Sequence, residues 1–184
     1  MSEIKNDNEI KDYNEIKIEK EEIKKQIEEK SNNTVKLLII RGLKITAAES
    51  CTGGLFASSI TSVSGSSECF EGSFITYSNE IKHKIINVNK NTLEKYGAVS
   101  EECVLEMSEN SRKIMGSDIS IAISGIAGPS GGSKDKPVGL VWICLASEGY
   151  IKAYKNIFKG NRDLIRAQSV LFALNLTENF IKKC

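Results

Sequence analysis

The sequence predicts one layered α/β domain preceded by a charged extension. Its 184 residues suit a single hydrophobic core. Beyond residue 33, apolar segments with strand character alternate with segments of helical periodicity, which is the pattern of a layered α/β domain. With 40% hydrophobic and 27% charged residues, the composition is that of an ordinary globular protein and excludes a fibrous or wholly disordered chain.

Residues 1–33 are a charged, low-complexity extension that we expect to be partly helical. The triplet EIK recurs at a six-residue step, which turns a helix by about 600° and leaves the repeated isoleucines off one stripe. Ile16, Ile23 and Ile27 do fall at helical spacing among Glu and Lys neighbours. We therefore expect a solvated helix from Ile16 onward, frayed toward Met1.

The strands and helices of residues 34–184 follow from apolar periodicity and from the residues that end each segment. We expect a helix over 34–41 that stops at Gly42, a strand in "LKITAAES", a helix from about Thr52 to Ser62 that begins at a glycine pair, a strand in "GSFITYSN" and a short helix in "NEIKHKIINV". Next come an amphipathic helix in "SEECVLEMSENSRKIMG" that Ser100 can cap, strands in "DISIAISGIAG", "PVGLVWICLAS" and "IKAYKNIFKG", and a long amphipathic helix in "NRDLIRAQSVLFALNLTENFIKK".

The sequence lacks signals for a membrane or for export. Its longest apolar runs, such as "VGLVWICLA", are well short of the roughly 18 to 20 residues of a membrane span, and its polar N-terminus has no apolar stretch like that of a signal peptide. Five scattered cysteines without a CxxC pair indicate reduced thiols. We expect a cytoplasmic protein with no membrane partner.

The scarcity of histidine limits the kinds of catalytic site and metal site that the chain can form. His83 is the only one, so a Ser-His-Asp or Cys-His site would depend on that residue, and histidine-rich metal sites are excluded. No cluster of ligand residues suggests a metal, and we expect no cofactor. If the protein is a hydrolase, we expect its base to be another residue type.

The segment "TAAESCTGG" is the first of three that could carry chemistry. A strand that turns tightly into a helix would place Ser50, Cys51 and Thr52 beside outward-pointing amides, which suit an oxyanion or a phosphate. Gly53 and Gly54 would let a ligand approach the main chain. The alternative is that Ser50 or Thr52 merely caps the helix.

The second segment is "SGIAGPSGGSKDKPVG", residues 124–139, with five glycines and two prolines between two strands. Long loops at the end of a buried strand are often binding elements in α/β sheets, although the loop could be a plain connection. Neither GxxxxGK[ST] nor a GxGxxG after a strand occurs in the chain. Any phosphate contact here would therefore use main-chain amides.

The third segment, "FITYSNEIKHK", places Tyr77 at a strand end and Lys82 a turn into the next helix. An isolated lysine is usually a surface residue, but a desolvated lysine near a serine can act as a general base. Lowering its pKa from about 10.4 to near 7 costs on the order of 4 to 5 kcal/mol, so the site must exclude water. An exposed Lys82 would exclude this role.

Five blocks of the sequence, "TAAESCTGG", "GSFITYSNEIKHKIINV", "YGAVSEECVLEM", "ISGIAGPSGGSKDKPVGLVW" and "FKGNRDLIRAQSV", resemble the C-terminal domain of the competence/damage-inducible CinA family, the nicotinamide-nucleotide amidohydrolases. The resemblance covers about residues 35–181. It implies a three-layer α/β/α sandwich with a mixed sheet, and hydrolysis of the carboxamide of nicotinamide mononucleotide. Its serine-centred site carries over as Ser50, Tyr77 and Lys82.

The same resemblance suggests a mechanism and the residues that hold the substrate. Ser50 would attack the amide carbon while Lys82, directly or through Tyr77, accepts its proton and later returns it to ammonia. Amides near Thr52, Gly53 and Gly54 would hold the oxyanion. Candidates for the ribose and phosphate are Ser124, Gly125, Ala127, Arg162 and Arg166. The alternative for both arginines is a solvated helix start.

Further expectations concern partners and relatives. We expect a small-molecule nucleotide as substrate, no nucleic-acid partner and a homo-oligomer. Many family members carry a molybdopterin-binding-like domain first, whose place is taken here by residues 1–33, so we expect that domain's activity to be absent. Two other functions stay open: a non-catalytic nucleotide-binding module, and a cysteine hydrolase using Cys51 with His83 as base.

Overall fold

A computed structural model describes the backbone of residues 7–183 and the side chains of residues 16–183. The helices are α1 Asp7–Arg41, α2 Leu55–Thr61, α3 Asn79–Ile86, α4 Lys90–Lys95, α5 Glu101–Met115 and α6 Arg162–Ile181. The strands are β1 Ile45–Glu49, β2 Phe74–Ile75, β3 Ile119–Gly125, β4 Leu140–Ser147 and β5 Tyr150–Ile157. A short 3-10 helix, Ser66–Glu68, lies between α2 and β2.

The five strands form one mixed sheet in the order β2-β1-β3-β4-β5. Strand β1 runs parallel to both β2 and β3, whereas the β3–β4 and β4–β5 pairs are antiparallel. Glu49, the last residue of β1, lies opposite Ile75 of β2 and Ile123 of β3. The carboxyl ends of β1, β2 and β3 therefore meet at one edge of the sheet, where ligand sites of α/β domains commonly lie.

Helices cover both faces of the sheet, which confirms the three-layer α/β/α architecture. Alternate residues of a strand point to opposite faces. Ile119, Ile121 and Ile123 of β3 pack into the cluster formed with α1, α2 and α6. Ala122 packs instead into the cluster formed with α3, α4 and α5.

Helix ends follow the predicted signals in the second half of the chain. Ser100 caps α5 by accepting the amide hydrogen of Cys103, as predicted, and Gly116 ends that helix in a left-handed conformation. Helix α4 was not predicted from the sequence, and β2 is shorter than the predicted strand. Both segments are too short for periodicity to define them.

Helix α1 is continuous across residues 33 and 34, and one of its faces packs against α6. Ile23 is 7% exposed, Lys20 pairs with Asp163 at 2.6 Å, and Lys30 pairs with Glu178 at 3.0 Å. The predicted solvated helix is therefore only partly solvated. The expected fraying toward Met1 lies outside the described residues.

None of the helices described between residues 7 and 183 has the length and apolar character needed to cross a bilayer.

Candidate active site

Ser50 follows β1 directly and begins the turn that leads into α2. Its amide donates to the carbonyl of Ile123 at 2.9 Å, which fixes it to the end of β3. Gly53 and Gly54 have φ values of 60° and 94°, left-handed conformations that strain other residues. The strand, the turn and the two glycines together place the Ser50 side chain at the carboxyl edge of the sheet.

Lys82 lies on α3 and reaches Ser50 from the side. Its side chain is 0% exposed, and its Nζ donates to Ser50 Oγ at 2.9 Å and to the Thr76 carbonyl at 2.7 Å. No carboxylate forms an ion pair with it among residues 16–183. Burial lowers the pKa of the Lys82 ammonium below its ordinary value. This is the dry environment that a lysine base requires.

A cavity of about 340 Å³ opens above the Ser50–Lys82 pair. Its walls come from the β1 turn, the start of α3 and the glycine loop between β3 and β4. The lining residues are Ser50, Cys51, Tyr77, Lys82, Ala98, Val99, Ser124, Gly125, Ile126, Ala127, Gly128, Ser130, Gly131 and Arg162. Seven of the residues predicted from the sequence therefore meet here: Ser50, Tyr77, Lys82, Ser124, Gly125, Ala127 and Arg162.

Tyr77 and Arg162 are joined to each other at the mouth of the cavity. Tyr77 is 62% exposed, and its hydroxyl accepts from Arg162 Nη2 at 3.1 Å. Arg162 Nη1 also donates to the Gly128 carbonyl at 2.9 Å. The phenol therefore bonds to the arginine, and no hydrogen bond links it to Ser50 or Lys82 in the described part of the chain.

The predicted roles of Gly53 and Gly54 as oxyanion donors are contradicted by the turn. The Gly53 amide donates to the Ser50 carbonyl at 3.1 Å, and the Gly54 amide donates to Glu49 Oε2 at 3.1 Å. Neither the Ser50 nor the Thr52 side chain caps α2, because its N-cap is Gly54 and Glu49 accepts the amide hydrogens of Phe56 and Ala57. Thr52, Gly53 and Gly54 do not line the cavity.

Arg166 braces the turn from outside the cavity. Its Nη2 donates to the Thr52 carbonyl at 2.6 Å, and its side chain contributes to a separate groove between α1, α2 and α6. The expectation that Arg166 contacts the substrate phosphate is therefore wrong for this arrangement. Arg162 lies one turn earlier on α6 and lines the cavity, whereas Arg166 does not. The two arginines therefore differ in role.

Ser124 and Gly125 line the cavity, but contacts within the protein determine the positions of both residues. Ser124 Oγ donates to the Ala98 carbonyl at 2.7 Å. A Cβ at Gly125 would lie 2.6 Å from Val141 Cγ2 and 2.7 Å from the Leu140 carbonyl oxygen. Gly125 is therefore required by packing against β4, whatever its contact with a ligand.

Cys51 and His83 do not form a catalytic pair. Burial raises the pKa of the Cys51 thiol to about 11, and the neighbouring Glu49 carboxylate adds to this effect. His83 Nδ1 donates to the Val88 carbonyl at 2.9 Å, and the ring lies outside the cavity. The thiolate that a cysteine nucleophile needs is thus disfavoured at neutral pH.

Sequence reasoning missed the part played by Glu49. Its carboxylate accepts hydrogen bonds from three main-chain amides at the start of α2, and the residue is 0% exposed. The available signal was an acidic residue at the end of a buried strand, a few residues before a helix that has no side-chain cap of its own.

The fold and the buried pair define the class of protein: an α/β/α sandwich with a serine site whose partner is a lysine. The chain belongs to the CinA C-terminal domain family, whose model matches residues 27–181. A CinA-like protein of Thermosipho melanesiensis is 43% identical over 171 residues, which are 90% of this chain and 43% of that protein. The chain therefore spans less than half the length of that relative.

Two shorter relatives are covered almost completely. A protein of Enterobacter agglomerans named nicotinamide-nucleotide amidohydrolase PncC is 44% identical over 160 residues, which are 86% of this chain and 98% of that protein. The crystal structure of a competence-damaged protein (CinA) superfamily protein from Klebsiella pneumoniae has a TM-score of 0.83 at 35% identity. The structural match covers 86% of this chain and 99% of the Klebsiella chain.

Proposed function

We propose that the protein hydrolyses the carboxamide of nicotinamide mononucleotide, giving nicotinic acid mononucleotide and ammonia. The observation that carries the proposal is the 2.9 Å hydrogen bond between Lys82 Nζ and Ser50 Oγ at the floor of the cavity. The name of the Enterobacter relative, which this chain covers almost entirely, supports the choice of substrate.

The first half of the proposed reaction transfers the acyl group to Ser50. Neutral Lys82 accepts the hydroxyl proton as Ser50 Oγ forms a bond to the carboxamide carbon. The tetrahedral intermediate collapses when the carbon–nitrogen bond breaks, and Lys82 gives the proton to the departing ammonia. The nicotinoyl group is then held on Ser50 as an ester.

The second half of the proposed reaction hydrolyses the ester and regenerates the free Ser50 hydroxyl. A water molecule loses a proton to Lys82 and attacks the ester carbon, and the ester bond to Ser50 Oγ breaks. The proton returns from Lys82 to Ser50, and the carboxylic acid product gives its remaining proton to the solvent and leaves as a carboxylate. Since the Tyr77 hydroxyl bonds to Arg162, we assign all four proton transfers directly to Lys82.

We assign the oxyanion of each intermediate to the amide of Cys51, which follows the nucleophile directly and belongs to a residue that lines the cavity. The amides of Gly53 and Gly54, further along the same turn, are occupied by acceptors within the protein. Loss of a donor of this kind typically costs roughly 3 to 4 kcal/mol in the transition state.

Ammonia release tests the proposal directly. The full chain is incubated with nicotinamide mononucleotide, and the ammonia and nicotinic acid mononucleotide that form are measured over time. We expect the two products in equal amounts. We expect turnover that proceeds without added metal or cofactor. Binding of the nucleotide without ammonia would contradict the proposal and favour a nucleotide-binding module.

Arg162 is the proposed contact for the substrate phosphate, because its planar fork can bond two oxygens and it lines the mouth of the cavity. Arg162→Ala should raise KM for the mononucleotide by about 10- to 100-fold, as expected for a charge-assisted hydrogen bond of roughly 1.5 to 3 kcal/mol. The KM for nicotinamide riboside, which lacks the phosphate, should change much less.

The control for this variant is Arg41→Ala, because Arg41 ends α1 and does not line the cavity. It should leave both KM values unchanged. Arg162 also holds the Gly128 carbonyl and the Tyr77 hydroxyl. An equal rise in KM for nucleotide and riboside would therefore assign Arg162 to the shape of the mouth and contradict the phosphate contact.

A further inference from the structure

Glu49 is a fully buried carboxylate next to the nucleophile, and the proposed mechanism gives it no proton to move. Its Oε2 accepts the amide hydrogens of Gly54 and Phe56, both at 3.1 Å, and its Oε1 accepts that of Ala57 at 2.9 Å. No lysine or arginine forms an ion pair with it among residues 16–183. All its side-chain partners are therefore main-chain amides of one helix start.

This arrangement ties two successive elements together. A helix start is usually capped by the side chain of its own N-cap residue, but the N-cap of α2 is Gly54, which has none. The acceptor comes instead from the last residue of β1, five positions earlier. The Glu49 side chain consequently closes the segment from Ser50 to Gly54 into a loop that is anchored at both ends.

The main chain of Glu49 also connects to the lysine. The Glu49 carbonyl accepts the Thr76 amide hydrogen at 2.8 Å, and the Thr76 carbonyl accepts from Lys82 Nζ at 2.7 Å. Glu49 thus contacts the turn that carries Ser50 through its side chain and the residue that anchors Lys82 through its backbone. Movement of the 50–54 turn relative to Thr76 would therefore separate Ser50 from Lys82.

We infer that Glu49 is a positioning residue: its carboxylate holds the 50–54 turn against α2 so that Ser50 Oγ stays within hydrogen-bond reach of Lys82 Nζ. The kinetic consequence rests on the proposed amidase function. The structural consequence does not, because the same turn carries Cys51, which is 6% exposed and reports on whether the turn is closed.

The kinetic test uses Glu49→Gln, which keeps the size of the side chain but replaces one acceptor oxygen by an NH₂ group. At least one main-chain N–H of α2 then faces the NH₂ donor and loses its acceptor. Because small displacements of reacting groups cost on the order of 10²-fold in rate, kcat should fall by about that factor while KM changes less than about threefold. The activity that remains should keep the wild-type pH midpoint, since Lys82 is still the base.

The matched control is Asn89→Ala, which removes the cap that Asn89 gives to α4 through the Asn91 amide, outside the cavity. It should lower stability and leave kcat within about twofold of wild type. A wild-type kcat in Glu49→Gln, or a rise in KM with unchanged kcat, would overturn the positioning role.

The structural test measures alkylation of each cysteine by peptide-resolved mass spectrometry in Glu49→Asp. Aspartate keeps the negative charge, so a change in the Cys51 rate cannot come from loss of that charge. The shorter side chain should open the turn and speed alkylation of Cys51 by at least about tenfold. Cys69, Cys103 and Cys144, which are also buried and free, should keep their wild-type rates.

The cysteines separate the possible outcomes. Equal acceleration at all four would show general destabilisation, and an unchanged rate at Cys51 would show that Glu49 does not close the turn; either result overturns the inference. If the wild-type protein releases no ammonia, the proposed function fails, while the Cys51 rate still decides the role of Glu49. Glu49→Asp also replaces Glu49→Gln in the kinetic test if the latter does not fold.

Discussion

Ser50→Ala should reduce the release of ammonia from nicotinamide mononucleotide by about three to six orders of magnitude. Removing the nucleophile from a serine hydrolase eliminates the covalent route and leaves only what substrate binding and the oxyanion donors contribute. Ser50 is 8% exposed and small, so the alanine fits the same space and the fold should persist. The measurements are kcat by ammonia detection and nucleotide binding by calorimetry.

Cys51→Ala is the matched control, because Cys51 is the next residue in the turn and also borders the cavity. It should keep kcat within a few-fold of wild type. The raised pKa of its thiol, about 11, leaves almost no thiolate at neutral pH. Full activity in Ser50→Ala combined with loss in Cys51→Ala would reverse the assignment and make the protein a cysteine hydrolase.

The Ser50–Lys82 contact illustrates what the sequence could predict. The scarcity of histidine directed attention to a lysine or tyrosine base, and the resemblance supplied the lysine 32 positions away. The physical link is that β1 and β2 are parallel neighbours, so the chain leaves both at the same edge of the sheet. Lys82 reaches Ser50 because α3 begins just after the very short β2, with Ser78 as its cap.

The roles of Glu49 and Arg166 could not be predicted in the same way. Both depend on the path of the 50–54 turn, which leaves the Gly54 amide facing Glu49 and the Thr52 carbonyl facing Arg166. Local sequence showed only that the turn suits an anion. The structure shows that a carboxylate of the protein already occupies the amides at the start of α2.

The packing of α1 was hidden for a different reason. Between residues 7 and 33 its composition is dominated by Glu and Lys, and few apolar positions mark an inner face. Ile23 becomes buried and Lys30 pairs with Glu178 only because α6, more than a hundred residues later, lies alongside. Contacts between distant segments of this kind leave little trace in local periodicity.

Lys82→Met should lower kcat by about two to four orders of magnitude, as expected when a general base is removed. Methionine fills similar apolar space but cannot accept a proton from Ser50. Wild-type kcat should rise with pH through the lowered pKa of Lys82 and then level off, because only the neutral amine accepts the proton. The small activity that remains in Lys82→Met should lack this rise. Lys84→Met, at an exposed lysine two residues further along α3, should behave like wild type.

The same substitution predicts a pH dependence of stability that damage to the site alone would not produce. Burial lowers the pKa of Lys82 in the folded protein, whereas the unfolded chain keeps a value near 10.5. Between these two values the unfolded state binds more protons, so the free energy of unfolding of the wild type should rise with pH, by up to about 1.4 kcal/mol per pH unit, and level off above the unfolded value. The increment is lost as pH falls through the folded pKa.

Urea unfolding of wild type and Lys82→Met across this pH range isolates the contribution of Lys82, because the cysteines and tyrosines that also titrate there are common to both proteins. The difference in unfolding free energy should shift in favour of the wild type as pH rises. A difference that is constant with pH would mean that the folded and unfolded states hold the Lys82 proton equally tightly. The amine could not then be the neutral base at the floor of the cavity, and the proton transfers assigned to it would need another acceptor.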